Sequence, residues 1–118
     1  MDQLTKSDEL IQGLVQELRR GTLIISVLSQ LAKPQYGYSL VAVLADRGVD
    51  IDVGTLYPLL RRLEKQGLLA SQWDTEEARP RKYYLLSELG KNVYDRLCSE
   101  WKSMTSIMEG LIDGSDEE

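Results

Sequence analysis

The sequence predicts a mainly α-helical protein with the winged helix-turn-helix fold, extended by an N-terminal helix and a long C-terminal dimerisation helix. Three observations lead to this fold class. Helical apolar patterns fill residues 7–66, two short aromatic-rich stretches, "LLASQW" and "RKYYLL", flank a polar loop, and one long helical pattern fills residues 87–113. Short helices followed by a two-stranded hairpin and a further helix form the element order of a winged helix-turn-helix.

The length and composition indicate one globular domain. A chain of 118 residues with 42% apolar and 28% charged residues has room for a single core. We expect an N-terminal helix on the dimer interface (1–20), the winged helix-turn-helix (21–86), the dimerisation helix (87–113) and an acidic tail (114–118). No window reaches 18 apolar residues and the N-terminus lacks a basic and apolar leader, so we expect a cytoplasmic protein without a membrane segment.

The net charge of −5 argues against indiscriminate nucleic-acid binding, because the field of the whole molecule repels phosphates. The last six residues, "DGSDEE", carry four acids and no base, so the rest of the chain has a net charge of only −1. Most of the acidity therefore belongs to the tail.

The first helix is predicted over residues 7–19. Ser7 is its expected N-cap, with Asp8 and Glu9 in the first turn and Arg19 and Arg20 at the end, where their charges complement the helix dipole. Its apolar face has the spacing of one helical side and consists of Ile11, Leu14, Val15 and Leu18.

The next two helices are separated by a proline. The second is expected over residues 22–33, where Pro34 ends it because proline disfavours the helical region for the residue before it. "QYGYS" is expected to form a turn, and Leu40, Val41 and Leu44 then form the apolar face of a short third helix that ends at Gly48.

The fourth helix is predicted over residues 53–66, with Asp52 as its N-cap and Gly67 after its C-terminus. Its apolar face consists of Leu56, Leu59, Leu60 and Leu63. Together with the third helix it forms a helix-turn-helix, whose second helix stands clear of the core and fits a major groove about 12 Å wide.

The wing and the last helix complete the pattern. Residues 68–73 and 81–86 are predicted to pair as antiparallel strands around the loop "DTEEARP". Ser87 is the expected N-cap of a helix that runs to residue 113. The apolar residues from Leu97 onward follow gaps of 4, 3, 4 and 3, the seam spacing of a coiled coil, and are Leu97, Trp101, Met104, Met108 and Leu111.

The length of the last helix predicts a homodimer. Roughly 26 residues at about 1.5 Å per residue extend about 39 Å, which is more than a core of this size covers. A second copy would bury the seam and would present two recognition helices to successive major grooves, about 34 Å apart. The expected DNA partner is a double-stranded inverted repeat.

The polar side of the fourth helix is the first candidate DNA surface. Thr55 and Tyr57, near the N-terminus, are placed to meet phosphates, where the free backbone amides also favour anions. Arg61 and Arg62 suit either phosphates or guanine edges. The alternative from the residues alone is a solvated helix face on which Glu64 balances the cations.

Nothing in the sequence indicates an enzyme. Histidine is absent, so the commonest general base and metal ligand are missing, and there is no glycine-rich phosphate loop. We expect no catalytic residue, no metal and no cofactor. The single cysteine, Cys98, lies near Asp95 and Glu100, whose charges disfavour a reactive thiolate, so we expect it to pack as a small apolar residue.

Several motifs in order resemble the PadR family of bacterial transcriptional regulators. They are "ELRRGTL" (17–23), "YGYSL" (36–40), "GTLYPLLRRLEKQGLL" (54–69), "PRKYYLLSELGK" (80–91) and "SEW" (99–101). The resemblance covers residues 17–101, and the single helix after the wing is similar to the smaller subgroup of the family.

The resemblance extends the candidate DNA surface to the start of the third helix and to the wing. It implies backbone contacts from Tyr36 and Tyr38, with Gly37 between them serving the backbone conformation, and phosphate contacts from the wing, where Glu76 and Glu77 oppose the cations. The candidate DNA-binding residues are Tyr36, Tyr38, Ser39, Gly54, Thr55, Tyr57, Arg61, Arg62, Lys65, Arg79, Arg81 and Lys82.

The resemblance also implies an effector site. In small members of the family an equivalent of Trp101 can line a pocket between subunits where planar aromatic compounds stack, and flexible methionines suit such a site. The alternative is that Trp101 is ordinary packing in the dimer seam. The candidate ligand-binding residues are Val15, Leu18, Leu97, Trp101 and Met104, with Met108 nearby.

Together these observations predict a dimeric repressor that binds an inverted-repeat operator and is released by a small planar aromatic effector. The alternative is a dimeric small-molecule-binding or protein-interaction module that uses the same fold without reading DNA. The acidic net charge favours this alternative weakly.

Overall fold

The computed structural model describes residues 3–76 and 78–114, and it confirms a mainly helical fold with a small sheet. Five helices and three strands follow one another in the order α1 (Gln3–Arg20), α2 (Leu23–Ser29), β1 (Gln35–Tyr36), α3 (Gly37–Asp46), α4 (Val53–Lys65), β2 (Leu69–Asp74), β3 (Arg81–Leu86) and α5 (Glu88–Asp113). Glu77 at the wing tip and residues 115–118 of the acidic tail lie outside the described residues.

The first two helices differ from the sequence prediction at their ends. Helix α1 begins at Gln3, so Ser7 lies inside the helix and is not its N-cap, and Asp8 and Glu9 are beyond the first turn. Helix α2 ends at Ser29, four residues before the predicted end. Beyond the helix, the carbonyl of Leu31 accepts a hydrogen bond of 2.8 Å from the amide of Leu86 in β3.

The sheet has three strands, whereas the sequence predicted two. Residues Gln35 and Tyr36, predicted as part of a turn, pair with Tyr84 and Tyr83, which gives the antiparallel order β1-β3-β2. A strand of two residues is too short to produce an alternating pattern, so only the fold reveals it. Strand β1 attaches the start of α3 directly to the wing.

The core is formed by α2, α3, α4 and the sheet. Leu28, Leu31, Leu40, Leu56 and Leu60 have no exposed surface. The predicted face of α4 is confirmed except for Leu59, which is only half-buried. The N-cap of α4 is also confirmed: the Asp52 carboxylate accepts a hydrogen bond of 2.8 Å from the amide of Thr55.

The wing hairpin and α5 follow the prediction closely. Strands β2 and β3 pair from Leu69 with Leu86 to Asp74 with Arg81. Ser87 caps α5 by accepting a hydrogen bond of 2.9 Å from the amide of Gly90. The start of α5 lies against Leu68, the residue before β2, so closely that a β-carbon on Gly90 would be 2.0 Å from the carbonyl oxygen of Leu68.

Helices α1 and α5 extend beyond the core. Among the described side chains of α1 only Val15 is even half-buried, and Leu18 is 75% exposed. The outer half of α5 exposes a similar apolar face, which consists of Trp101, Met104, Ile107, Met108, Leu111 and Ile112. The radius of gyration is 17.9 Å, whereas a compact domain of this length has about 13–14 Å.

We predict that Gly90→Ala destabilises the protein by about 3 kcal/mol, because the added methyl meets backbone that cannot move independently. Chemical denaturation at fixed protein concentration measures the change. Gly110→Ala in the same helix is the matched control: a β-carbon there has no neighbour within 4 Å, so we expect unchanged or slightly higher stability. Equal effects of the two substitutions would contradict the close contact between α5 and Leu68.

Candidate nucleic-acid interface

Helix α4 has one face in the core and one face in solvent. Leu56, Leu60 and Leu63 are fully buried, whereas Arg61 and Lys65 are exposed on the opposite side. The Thr55 amide at the helix N-terminus already donates a hydrogen bond to the Asp52 carboxylate, so only the side chain of Thr55 can bind a phosphate. The outer face of α4 is therefore free for contact with another molecule.

A cleft separates the outer face of α4 from the wing, and we call it the wing cleft. Its volume is about 520 Å³, and no acid is found among the described residues that line it. Five predicted DNA-binding residues meet there although they come from three separate motifs. The lining residues are Gly37, Tyr38, Tyr57, Trp73, Arg79, Pro80, Arg81 and Lys82.

Gly37 lets Tyr57 enter the wing cleft. A β-carbon on Gly37 would lie 2.6 Å from Cε1 of the Tyr57 ring, closer than atoms can approach. Gly37 does not have a positive φ, so the expectation that it serves an unusual backbone conformation was wrong. Its role is to leave room for the aromatic ring.

A cluster of aromatic rings and charges joins the start of α3 to the wing. The rings of Tyr36 and Tyr38 stack at 5.6 Å, and the Arg81 guanidinium lies 5.7 Å and 5.2 Å from their centroids. Arg81 Nη1 donates a hydrogen bond of 2.6 Å to the Tyr38 hydroxyl. Tyr36 donates one of 2.6 Å to Asp74, and this bond, followed by the amide of Glu76, lowers the pKa of the Asp74 carboxyl.

A second cluster joins α4 to the sheet through Glu64. The Ser71 hydroxyl donates a hydrogen bond to Glu64, and Lys82 Nζ forms an ion pair of 3.2 Å with the same carboxylate. The Ser71 hydrogen bond is the main cause of the lowered pKa of Glu64, and Lys82 adds to it. The charge of Lys82 is thus already compensated within the protein, whereas no described residue forms an ion pair with Arg61 or Lys65.

The remaining predicted DNA-binding residues lie outside the wing cleft. Thr55 and Arg62 line a second cleft of about 350 Å³ on the other side of α4, which we call the flank cleft. Arg61, Lys65 and Gly54 are exposed and line neither cleft, while Ser39 is half-buried in α3. Sequence reasoning missed Trp73 in the wing cleft, because its position in β2 gave no signal beyond the strand pattern.

The predicted ligand-binding residues largely come together. A cavity of about 250 Å³, which we call the interhelical cavity, lies where the end of α1, α2 and α5 meet. Leu18, Leu97, Trp101 and Met104 line it, whereas Val15 does not. The other lining residues are Gly21, Thr22, Ile24, Ile25 and Glu100, and Glu100 is the one ionisable group among them.

Two further classes of site are absent from residues 3–76 and 78–114. No helix in this part of the chain is long and apolar enough to cross a membrane. No group of three or more cysteine or acidic side chains in the described ranges is arranged to hold a metal ion.

Comparisons with known proteins identify relatives in sequence and in fold. The model of the Transcriptional regulator PadR-like family matches residues 24–96. The crystal structure of a PadR family transcriptional regulator from Eggerthella lenta is 47% identical, with a TM-score of 0.89, and the match covers 92% of this chain and 96% of that one.

Two more distant relatives support the same assignment. The crystal structure of a transcriptional regulator from Streptococcus is 33% identical with a TM-score of 0.71, covering 80% of this chain and 95% of that one. Transcriptional regulator Rv3488 of Mycobacterium tuberculosis is 32% identical over 78 residues, which cover 65% of this chain and 73% of the relative.

We predict that Glu64→Gln lowers the free energy of unfolding by about 0.5–1 kcal/mol at pH 7, the range of a modest ion pair. Because the pKa of Glu64 is lowered in the folded protein, its contribution is present above the ordinary glutamate pKa and is lost as the pH falls below about 4.3. Urea denaturation of both proteins at pH 7 and pH 3.5 measures the difference, which should shrink at the lower pH.

Glu88→Gln is the matched control for this prediction. Glu88 pairs with Lys91 at 3.2 Å, but both side chains are largely exposed, so we expect a smaller change. A Glu64→Gln difference that persists unchanged at pH 3.5 would contradict a charged Glu64 as the source of the stabilisation.

Proposed function

This chain belongs to the PadR-like family of transcriptional regulators, which are DNA-binding regulators and not enzymes, and from this premise we propose that it is a dimeric, ligand-responsive repressor of an inverted-repeat operator. The observation that carries the proposal is the interhelical cavity. Four of the five residues predicted to bind a ligand line it, and it adjoins the exposed apolar faces of α1 and α5.

The proposed dimer is supported by surface that a single chain leaves uncovered. A large apolar face on two helices that extend from the core marks a protein interface. The faces belong to α1 and α5, and the side chains along them are mostly more than half exposed. A second copy packed through these helices would cover both faces and would bring two interhelical cavities close to the twofold axis.

The proposed effector is a planar aromatic compound. A cavity of 250 Å³ is smaller than typical ligand sites of about 300–1,000 Å³, so joining two of them in a dimer would give a site of ordinary size. Trp101 offers a stacking surface, and Met104 adapts to the shape of the ligand. Glu100 is the one ionisable group among the described lining residues, and its carboxylate already pairs with Arg96 at 3.1 Å.

The proposed DNA complex places the outer face of α4 in the major groove and the wing against the adjacent backbone. It is supported by the wing cleft, whose described lining contains three cations and three aromatic residues. Arg79 is the stronger candidate for a phosphate contact there, since Lys82 is paired with Glu64 and Arg81 donates a hydrogen bond to Tyr38. Tyr38 and Tyr57 provide hydroxyl groups in the same cleft.

Release by the effector is proposed to act through the spacing of the two wings. Ile24 lines both the interhelical cavity and the flank cleft, so displacement of α2 by a ligand reaches the side of α4 directly. A difference in ligand affinity between the two arrangements of 5- to 150-fold, about 1–3 kcal/mol, suffices for this coupling. We propose that the protein acts in the cytoplasm, where its DNA is.

We predict that the protein binds DNA with a steep salt dependence, because each phosphate that it contacts releases counterions. Fluorescence anisotropy with its own upstream region and with random duplex measures the affinity between 50 and 200 mM salt, where log K should fall with a slope of about −0.9 per phosphate. The upstream region should bind more tightly than random DNA. Absence of binding to either duplex at low salt would favour a module that does not read DNA.

We predict that proflavine, a planar tricyclic dye, quenches the tryptophan fluorescence of the protein and of Trp73→Phe, but not that of Trp101→Ala. Trp101 lines the interhelical cavity, whereas Trp73 lies in the wing cleft. The titration is carried out without DNA. Quenching that disappears in Trp73→Phe and persists in Trp101→Ala would contradict the proposed effector site.

A further inference from the structure

The flank cleft lies beside α4 on the side away from the wing, and we propose that it binds a phosphate of the second DNA strand, with Arg20 as a DNA contact outside the helix-turn-helix. The inference rests on the proposed function, since it assigns contacts within the same DNA complex. The cleft combines the end of α1, the first turn of α2 and one side of α4. Its lining residues are Arg20, Leu23, Ile24, Thr55, Pro58, Leu59 and Arg62.

The geometry of α4 puts the two clefts on opposite flanks of the same helix. At about 100° per residue, Thr55 and Arg62 are about 20° apart around the axis, whereas Tyr57 in the wing cleft is about 160° from Thr55. Arg61 lies between these two flanks, on the side opposite the buried leucines. The outer face of α4 is therefore bordered by one cationic cleft on each side.

The charges of the flank cleft suit a phosphate. Both arginines are exposed, and the described residues offer neither of them an ion pair or a side-chain hydrogen bond. Within residues 3–76 and 78–114, no acidic residue lines the cleft, although the chain as a whole is acidic. The acids of the wing, Asp74 and Glu76, line a separate depression together with Trp73, Thr75 and Tyr83.

The shape of B-DNA requires contacts on both flanks. A major groove about 12 Å wide is bordered by two phosphate backbones, and a helix with its side chains, about 10–12 Å across, fills it from one to the other. If the wing cleft meets one backbone, the flank cleft meets the other. Arg62 then binds phosphate, Arg61 points at base edges, and Leu23 and Leu59 pack against deoxyribose.

The test is the salt dependence of DNA binding by Arg20→Ala. We expect the slope of log K against log salt to become less negative by about 0.9, the value of one phosphate contact. The affinity should fall by the same factor on the upstream region and on random duplex, because a phosphate contact does not read sequence. Arg20→Lys keeps the positive charge and should retain the slope of the wild type.

Arg19 is the matched control for Arg20, and Arg61 is the matched control for Arg62. Arg19 is also exposed at the end of α1 but does not line the flank cleft, so Arg19→Ala should leave slope and affinity unchanged. Arg61→Ala should weaken binding to the upstream region more than to random duplex. Arg62→Ala should behave like Arg20→Ala, with a melting temperature within about a degree of the wild type, since its side chain is exposed.

Several results would overturn the inference. One is that Arg20→Ala matches Arg19→Ala while the wild type keeps a steep slope, which leaves the proposed function intact. Another is that Arg20→Lys loses as much as Arg20→Ala, which indicates a structural role. A third is that octanoate raises the melting temperature of the wild type but not of Arg20→Ala, while the Arg20→Ala substitution leaves DNA binding unchanged. This result would make the flank cleft a carboxylate site. A wild type without salt-dependent binding would instead refute the proposed function.

Discussion

The burial of one side of α4 is the interaction on which the rest of the structure depends. Leu56, Leu60 and Leu63 fix the helix in the core, and because the side chains of a helix point outward all round, the same packing leaves the opposite side in solvent. The structure thereby orients Arg61 and Lys65 outward, where neither forms an ion pair with a described residue. The proposed contacts of α4 with DNA depend on this orientation.

The wing is held against α3 and α4 by polar clusters and not by apolar packing alone. Tyr36 and Asp74 connect β1 to the end of β2, while Glu64 connects α4 to β2 and β3 through Ser71 and Lys82. These contacts join the elements that line the wing cleft. They also use groups that a simple charge map of the sequence would assign to DNA, Lys82 above all.

The sequence alone predicted an element correctly where its pattern extends over several residues. The leucine face of α4, the caps Asp52 and Ser87 and the strands of the wing all follow from spacing and turn chemistry, and the family motifs identified the fold. The sequence did not predict contacts between distant segments, such as the pairing of the two-residue strand β1 with β3 and the hydrogen bond from Leu86 to Leu31 after the end of α2. The same limit explains why Arg20, assigned from sequence only to the end of a helix, joins Thr55 and Arg62 in one cleft.

The most direct test of α4 as a major-groove helix between two cationic clefts is phosphate ethylation interference on a DNA fragment that the protein selects. We predict interfering phosphates on both strands of each half-site, at the two edges of one major groove, with half-sites about 10–10.5 base pairs apart from centre to centre or at a multiple of that spacing. Interference confined to one strand of each half-site, or one isolated cluster without a symmetric partner, would contradict this account.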